Sequence, residues 1–332
     1  MAEIRLSRAN FFANLDIIKE QMQSVEKIAL VLKDNAYGHG LCEMAQLAQE
    51  YGIKRAVVRS NAEAKKIEEF FEYLLVLADT PKSPSKKIRY TINNIQKIKK
   101  FARGSIVELK VDTGMSRNGV RVADVEEALL AIEKQGLVLE SVFTHHASAD
   151  ELDGKYEKQK EKFSKLKESL KARGINSFHS CNSAALFRQK EFDEDMVRVG
   201  IAAYGCLELP FASNAQKLKP VLSLYAKQNS SRVIESGEGV GYGGTFVAEE
   251  SVVVSNYDFG YADGFFRSCS CNYITPQNVQ IAGRISMDNS SFVSDKEELL
   301  IFDDAREVAK CAGTISYEVL TSLKPHLKRR IF

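Results

Sequence analysis

The sequence predicts an α/β protein: a (β/α)8 barrel of the TIM type over residues 1–216, followed by a mostly β domain over residues 217–332. Two observations support this fold class. In the first part of the chain, about eight short apolar strands alternate with helices, as in a parallel sheet wrapped by helices. After Lys217 the chain becomes β-rich and is broken by Gly, Asn and Asp. An open parallel sheet is disfavoured, because the glycine-rich phosphate turn typical of such sheets does not follow the first strand.

The strand–helix units follow one another along the first domain. Ser7 can cap a helix in which Phe11, Leu15 and Ile18 recur at three- and four-residue spacing. The predicted strands of the barrel cover residues 28–32, 56–58, 74–77, 90–92, 106–111 and 137–144, with two more near 178 and 197. The later predicted helices cover residues 41–52, 62–70, a lysine-rich stretch that ends at 102, and residues 122–133, 154–173 and 183–189.

The second domain is predicted from runs rich in β-branched and aromatic residues that are separated by turn residues. The predicted strands cover residues 221–233, 252–259, 279–285 and 299–302. Two short helices are expected, one at residues 306–311 and one after Ser316.

The composition disfavours several functional classes. Of the 332 residues, 44% are hydrophobic and 27% are charged, as in ordinary globular proteins. The formal net charge is only +2, so no strong positive field would attract nucleic acid. No apolar run reaches membrane-spanning length, and the first residues lack the apolar core of a signal peptide. We therefore expect a cytoplasmic protein that acts on small molecules and binds neither nucleic acid nor membrane.

The cysteine pattern predicts neither a metal site nor a disulfide framework. The six cysteines are scattered along the chain, and only Cys269 and Cys271 lie close together, separated by one residue. No second pair completes a zinc site. We expect reduced thiols and no bound metal.

Lys33 is the candidate catalytic residue of the barrel. It directly follows the apolar run 28–32, at the end of a strand where barrel enzymes carry their active sites. A lysine that is partly desolvated there has a lowered pKa, and its neutral amine can form a Schiff base or remove a proton. The alternative is a solvated lysine at a strand end, which is the commoner situation for an arbitrary lysine.

Other polar side chains follow the later strands of the barrel. Lys110 and Arg117 flank a polar loop, and His145 ends the next strand. Ser183 opens a helix, where free amides favour an anion, although an ordinary helix cap explains this serine equally well. Taken singly, each of these residues would more often be structural than catalytic.

Eight stretches of the chain resemble, in order, motifs of the alanine racemase family, whose members join a barrel to a β domain and use pyridoxal phosphate. They are residues 31–40 (VLKDNAYGHG), 110–119 (KVDTGMSRNG), 144–147 (THHA), 179–185 (HSCNSAA), 197–205 (VRVGIAAYG), 260–267 (GYADGFFR), 283–288 (GRISMD) and 316–318 (SYE). A single match could be chance, but their ordered occurrence over essentially the full chain is specific. Asp34, His146 and Ser286 depart from the usual pattern.

The resemblance implies a role for each matching residue. The catalytic pair would be Lys33 and Tyr261. The residues that would bind pyridoxal phosphate are Lys33, Tyr37, Arg117, His145, Asn182, Ser183, Arg198, Gly200, Ile201 and Tyr317. The residues that would bind substrate are Arg117, Met287 and Asp288. Lys110 would be the position that the family often carbamylates, and the resulting anion would hold Arg117.

Two of these implied roles have chemical consequences. Arg198 would face the ring nitrogen of the cofactor, and a guanidinium does not give up its proton. The cofactor is then a weaker electron sink, which favours racemisation over transamination. An unperturbed tyrosine has a pKa near about 10, so Tyr261 would need positive neighbours such as His145 and Arg198 to act as a base at neutral pH.

The implied activity is the interconversion of L-alanine and D-alanine, which supplies D-alanine for peptidoglycan. Racemisation by two bases requires one on each face of the substrate carbon, with Lys33 serving D-alanine and Tyr261 serving L-alanine. In this family the two bases come from different subunits, so the resemblance implies a homodimer in which residues 217–332 complete the partner's site. Two alternatives stay open: a racemase of serine or of a broader set of amino acids, and a non-catalytic carrier of pyridoxal phosphate.

Overall fold

A computed structural model of the chain describes residues 2–189, 192–211, 213–270 and 272–332. Cys271, one of the predicted reduced thiols, lies outside the described residues, while Cys42, Cys181, Cys206, Cys269 and Cys311 carry free thiols. Within the described part of the chain, no helix is both long and apolar enough to cross a membrane.

The first part of the chain forms a barrel of parallel strands. The chain begins with strand β1 (Glu3–Leu6), which pairs outside the barrel. The barrel strands are β2 (Ile28–Val31), β3 (Arg55–Val58), β4 (Tyr73–Val76), β5 (Ile88–Ile92), β6 (Ile106–Asp112), β7 (Val120–Arg121), β8 (Val138–Phe143), β9 (Phe178–His179) and β10 (Val197–Val199). Of these described strands, eight pair in the order β10-β2-β3-β4-β5-β6-β8-β9, and β7 pairs with β6 at one side. A parallel bridge between Asn182 and Arg198 nearly closes the ring. The predicted barrel is confirmed.

Helices and short turns connect the strands. The helices are α1 (Arg8–Met22), α2 (Lys33–Tyr37), α3 (Leu41–Tyr51), α4 (Asn61–Ile67), α5 (Val125–Gln135), α6 (Lys155–Lys171), α7 (Ser183–Arg188), α8 (Ala305–Ala312) and α9 (Ser316–Ser322). Ser7 caps α1, as predicted, because its side chain accepts a hydrogen bond from the N–H of Asn10 at 3.2 Å.

Alternate residues of the barrel strands face two separate apolar clusters. Ala29 and Val31 of β2 pack with Val57 in a small cluster inside the barrel, whereas Ile28 and Leu30 belong to the main core. Successive side chains of a strand point to opposite faces, so a strand that is buried on both faces reads as a continuous apolar run. This explains why the short strands were visible in the sequence.

The second part of the chain forms a mostly antiparallel sheet. Its strands are β11 (Leu222–Ile234), β12 (Gly239–Val240), β13 (Phe246–Val247), β14 (Val252–Tyr257), β15 (Ser290–Val293), β16 (Glu298–Phe302) and β17 (Lys328–Ile331). The order in the main sheet is β15-β14-β11-β1-β17, and β16 also pairs with β11. The predicted β-rich second domain is confirmed.

Several details differ from the prediction, among them that strands β12, β13 and β15 were not predicted. Strands β1 and β17 were not predicted, and they pair with each other in the second sheet, so the first residues of the range assigned to the barrel lie in that sheet. Residues 279–285 were predicted as a strand but form only isolated bridges, such as that between Ile281 and Phe292. The lysine-rich helix is a short 3₁₀ helix, Ile95–Lys100.

Candidate active site

The candidate site is a cavity of about 390 Å³ at the carboxyl ends of the barrel strands. It lies where barrel enzymes carry their sites, because the loops that follow the strands converge there. Its lining includes all the residues that were predicted to bind the cofactor, together with Lys110: Lys33, Tyr37, Lys110, Arg117, His145, Asn182, Ser183, Arg198, Gly200, Ile201 and Tyr317. Residues far apart in the sequence are thus brought to one place, although their roles stay predictions.

Lys33 begins a turn with an unusual backbone. Directly after it, Asp34, Asn35, Ala36 and Tyr37 all have φ between 47° and 58°, which makes α2 a left-handed turn. Each non-glycine residue in this conformation costs roughly 1–2 kcal/mol, so the surroundings must hold the turn in place. The carboxylate of Glu63 contributes to this hold by accepting a hydrogen bond from the N–H of Asp34 at 2.7 Å.

The cavity is electrically positive. Among its described lining residues, Lys33, Lys110, Arg117 and Arg198 are cationic, and Asp150 is the one carboxylate. Burial, together with the positive charges of Arg198 and Arg117, lowers the pKa of Lys110 to about 8. An excess of positive charge in a partly enclosed cavity favours an anionic ligand.

Arg198 is fixed by several acceptors inside the barrel. Its guanidinium donates hydrogen bonds to the backbone oxygens of Thr144 at 2.7 Å and Ser180 at 3.1 Å, and to Nδ1 of His179. The guanidinium also lies over the ring of Phe143, 5.1 Å from its centroid. These contacts leave Arg198 one well-defined position in the cavity wall.

A buried carboxylate lies behind Arg198. Nε2 of His179 lies 2.8 Å from Oε2 of Glu108, and the hydroxyl of Tyr73 donates to the other oxygen. Since Nδ1 of His179 accepts from Arg198, its proton sits on Nε2 and points at the carboxylate. Burial alone would raise the pKa of Glu108, but the His179 ring and the hydrogen bonds from His179 and Tyr73 lower it below its ordinary value.

Glu108 and His179 were not among the predicted functional residues. Both are almost completely buried, with 1% exposure each, and they connect strands β6 and β9 across the barrel. A signal was present in the sequence, because Glu108 is a charged residue directly between the apolar residues Val107 and Leu109 of a strand. Its partner could not be read, since 71 residues separate the two along the chain.

Ser183 and Gly200 form a polar pocket in the cavity wall. The hydroxyl oxygen of Ser183 accepts hydrogen bonds from the N–H groups of Gly200 at 3.1 Å and Ala202 at 3.3 Å. Gly200 has no room for a side chain, because a Cβ there would lie 2.5 Å from the ring of Tyr37. Asn182 has a structural contact as well, since its side chain caps α7 by accepting from the N–H of Ala185 at 2.9 Å.

His145 lies in the cavity but is not a positive neighbour for a tyrosine base. Burial and the charge of Arg198 lower the pKa of His145 well below its usual range, so the ring is neutral at pH 7. The expectation of a cationic His145 was therefore wrong, since a second charge beside Arg198 is unfavourable. His146, whose role was open, is buried beside Tyr156, with ring centroids 4.8 Å apart.

Three predicted residues lie outside this cavity. Tyr261, Met287 and Asp288 are not among the described residues that line it. Tyr261 is 40% exposed and Met287 is 59% exposed. The two are neighbours, because the N–H of Ala262 donates to the backbone oxygen of Met287 at 2.7 Å. The chain alone therefore presents these residues on its surface.

The fold and the cavity define a class of two-domain proteins, in which a parallel barrel with a lysine-bearing cationic site is followed by a β domain. The family model for the N-terminal domain of alanine racemase matches residues 6–208, and that for the C-terminal domain matches residues 221–331. The chain belongs to the alanine racemase family, which is a family of isomerases.

Individual relatives and structures agree with this assignment. An alanine racemase from a Nitratiruptor species is 42% identical over 99% of both chains. Solved structures are also similar. An alanine racemase from Clostridium difficile 630 has a TM-score of 0.89 at 28% identity, covering 100% of this chain and 95% of that one. An alanine racemase from Bacillus anthracis, solved with bound L-Ala-P, has a TM-score of 0.87 at 28% identity, with the same coverage.

Proposed function

We propose that the protein interconverts L-alanine and D-alanine with pyridoxal phosphate bound in the cavity, and so supplies D-alanine for peptidoglycan. The observation that carries this proposal is the position of Lys33, which opens the turn at the end of β2 in a cavity with a marked excess of positive charge. An amine in such a site can react with an aldehyde, and the surrounding cations suit a phosphorylated, anionic partner.

The donor set of the cavity fits this cofactor. The hydroxyl of Ser183, the backbone N–H groups of Gly200 and Ile201 and the phenols of Tyr37 and Tyr317 would hold the phosphate. A Cβ at Gly200 would fill the space beside Tyr37, so the close approach of backbone to ligand requires glycine there.

The remaining residues would hold the ring of the cofactor, which when bound acidifies the substrate's α-hydrogen by withdrawing electrons. Arg198 would donate to the ring nitrogen and Arg117 to the phenolic oxygen. Asn182 and the neutral imidazole of His145, which line the cavity, would lie beside the cofactor ring. Because Arg198 stays protonated and is held by His179, it limits electron withdrawal and favours racemisation.

Two bases would move the proton. The amine of Lys33 would serve D-alanine from one face, and the phenol of the partner subunit's Tyr261 would serve L-alanine from the other. Arg117, with Met287 and Asp288 from the partner subunit, would bind the substrate. Support for a homodimer with shared sites comes from the exposed position of Tyr261 outside its own chain's cavity. The cytoplasmic location and the division at residues 216 and 217 stay predictions.

Lys110 would carry a carbamate that holds Arg117. Its pKa of about 8 supports this, because a substantial share of neutral amine is available to attack carbon dioxide, releasing a proton. A carbamate resonance after addition of ¹³C-bicarbonate, missing in Lys110→Ala, is expected by NMR. Identical spectra for the two proteins would contradict the assignment.

The activity is tested by supplying the purified protein with pyridoxal phosphate and L-alanine in deuterium oxide. We expect α-deuterium in the alanine and formation of the D-enantiomer, measured by mass spectrometry and chiral chromatography. No exchange of the α-hydrogen would overturn the proposal. Parallel reactions with serine test the broader racemase, and a protein that binds the cofactor but exchanges no amino acid would be a carrier.

A further inference from the structure

The last part of the chain contacts both of the turns that carry the proposed bases. Residues 316–331, called the C-terminal segment here, comprise α9, the turn after it and β17. Tyr317 at its start lines the cavity, with its ring 5.8 Å from that of Tyr37. Further along, the segment touches the turn that carries Tyr261 and the turn that begins at Lys33.

Asp263 connects the segment to the tyrosine turn. One oxygen of its carboxylate accepts the N–H of Gly260 at 2.9 Å, which closes the turn around Tyr261. The other oxygen lies 2.8 Å from Nε2 of His326. The N–H of Lys324 also donates to the backbone oxygen of Asp263 at 3.1 Å. The N–H of Asp263 also donates to the backbone oxygen of Gly260 at 3.1 Å, so Asp263 has two hydrogen bonds inside the turn and two contacts with the C-terminal segment.

Close backbone packing also joins the C-terminal segment to the tyrosine turn, which is residues 260–264. A Cβ at Gly264, whose φ is +114°, would lie 2.6 Å from the backbone oxygen of Ser322. The hydroxyl of Ser322 donates to the backbone oxygen of Gly264 at 2.9 Å. The tyrosine turn therefore rests directly on the end of α9, and a shift of the segment moves the turn.

Arg329 connects the same segment to the lysine turn. Its Nε and Nη2 donate to the backbone oxygen of Gly38 at 3.0 and 2.8 Å. Gly38 ends the left-handed turn that begins at Lys33. The contact is close, because a Cβ at Gly38 would lie 1.9 Å from the backbone oxygen of Leu320 in α9. The strained turn is thus held from outside the barrel.

We propose that His326 and Arg329 are positioning residues for the two bases: His326 acts through Asp263 on Tyr261, and Arg329 acts through Gly38 on Lys33. Neither side chain is among the described residues that line the cavity. The inference rests on the proposed function, in which the two bases of one chain serve different sites of a dimer. One segment then sets the geometry of a base in each site.

Isotope effects with α-deuterated alanine separate the two bases. The proposed Tyr261 removes the α-hydrogen of L-alanine, and the proposed Lys33 removes that of D-alanine. When one base is misplaced, its step limits the rate more strongly. The isotope effect then rises for the enantiomer from which that base takes the hydrogen, and falls for the other enantiomer. A general loss of active protein lowers both rates and moves neither isotope effect.

The test compares His326→Ala with Arg329→Lys in the enzyme loaded with pyridoxal phosphate. For His326→Ala, we expect about tenfold lower turnover, a raised isotope effect on L-alanine and a lowered one on D-alanine. Arg329→Lys, which keeps the charge but loses the paired donors, should shift both isotope effects the opposite way. His326→Asn should recover most of the turnover, because its amide can donate to Asp263.

A second readout needs no turnover. In the protein without added cofactor, hydrogen exchange of the peptide 258–266 should be faster in His326→Ala, because the hydrogen bond from Gly260 to Asp263 is less well held. Arg329→Lys should leave the exchange of this peptide unchanged.

The outcomes distinguish this inference from the proposed function. A wild-type enzyme that exchanges no α-hydrogen overturns the proposed function, and this inference with it. An active wild-type enzyme whose two variants shift the isotope effects alike, or not at all, overturns this inference alone. Unchanged exchange of the peptide 258–266 in His326→Ala contradicts the role of His326.

Discussion

The two residues proposed as bases occupy opposite kinds of environment. Lys33 is half-buried in a cavity where Arg198, His179 and Glu108 form a continuous hydrogen-bonded series through the barrel. Tyr261 lies on a surface turn of the β domain and is 40% exposed. The chain therefore encloses Lys33 in a cavity, whereas it exposes Tyr261 on its surface.

This difference explains why a single chain makes only half of the proposed site. The cavity holds the groups suited to an anionic cofactor, but the described residues that line it include no tyrosine from the 260–264 turn. Tyr261 is exposed to water on its own chain, so it requires the positive groups of another chain's cavity to act as a base. Changes on the barrel side should therefore affect cofactor binding and stability, and changes at Tyr261 should affect only proton transfer.

The largest effect is expected for Lys33→Ala. The substitution removes both the covalent attachment and one base, so turnover should fall by at least about 10³-fold. After borohydride reduction, mass spectrometry should find the phosphopyridoxyl group on Lys33 in the wild-type protein and nowhere in the variant. Lys65→Ala, an exposed lysine on α4, is the control. A modified lysine elsewhere would refute the assignment.

Tyr261→Phe should give the next largest effect, and it tests whether the exposed residue acts separately from Lys33. Exchange of the α-hydrogen of L-alanine should fall by about 10²- to 10³-fold, whereas exchange with D-alanine should persist because Lys33 is intact. Cofactor binding and thermal unfolding should match the wild type. Tyr242→Phe, at a tyrosine that is 66% exposed in the same domain, is the matched control. Equal losses for both enantiomers would argue against separate bases.

Glu108→Gln tests whether the buried network behind Arg198 stabilises the barrel. At pH 7 the free energy of unfolding should fall by about 1–3 kcal/mol, because a buried, hydrogen-bonded carboxylate loses its charge. Since the pKa of folded Glu108 lies below its ordinary value of 4.5, its stabilisation is present above that pH and is lost as the pH falls through the folded value. Urea unfolding at several pH values measures both effects. Glu127→Gln, exposed on α5, should change neither.

If Glu108→Gln and the wild type had the same free energy of unfolding at pH 7, the hydrogen-bonded network behind Arg198 would contribute nothing to stability.

Much of the barrel could be predicted because its strands carry local signals. The run at 28–32 is apolar throughout, and the lysine that ends it marks the site. By contrast, β17 (Lys328–Ile331) is mostly charged, and its pairing with β1 depends on two ends of the chain meeting. The left-handed turn after Lys33 was not predicted either, because Asp34 and Asn35 tolerate that conformation only as single residues and a run of four depends on distant contacts.

The site could be predicted in part for a similar reason. The family motifs identified the residues around the cavity, and the cavity contains the barrel residues among them. The motifs could not indicate that Glu108 and His179 support Arg198, or that His145 is neutral, since both depend on burial and on three-dimensional neighbours.

The central claim, that each site joins Lys33 of one chain to the partner subunit's Tyr261, is tested most directly by mixing Lys33→Ala with Tyr261→Phe after dissociation and reassembly. Half of the dimers are then mixed, and each mixed dimer has one intact site of two, so about a quarter of wild-type activity should return. If both bases came from the same chain, no dimer would contain an intact site. Activity of the mixture no higher than that of the separate variants would contradict the account.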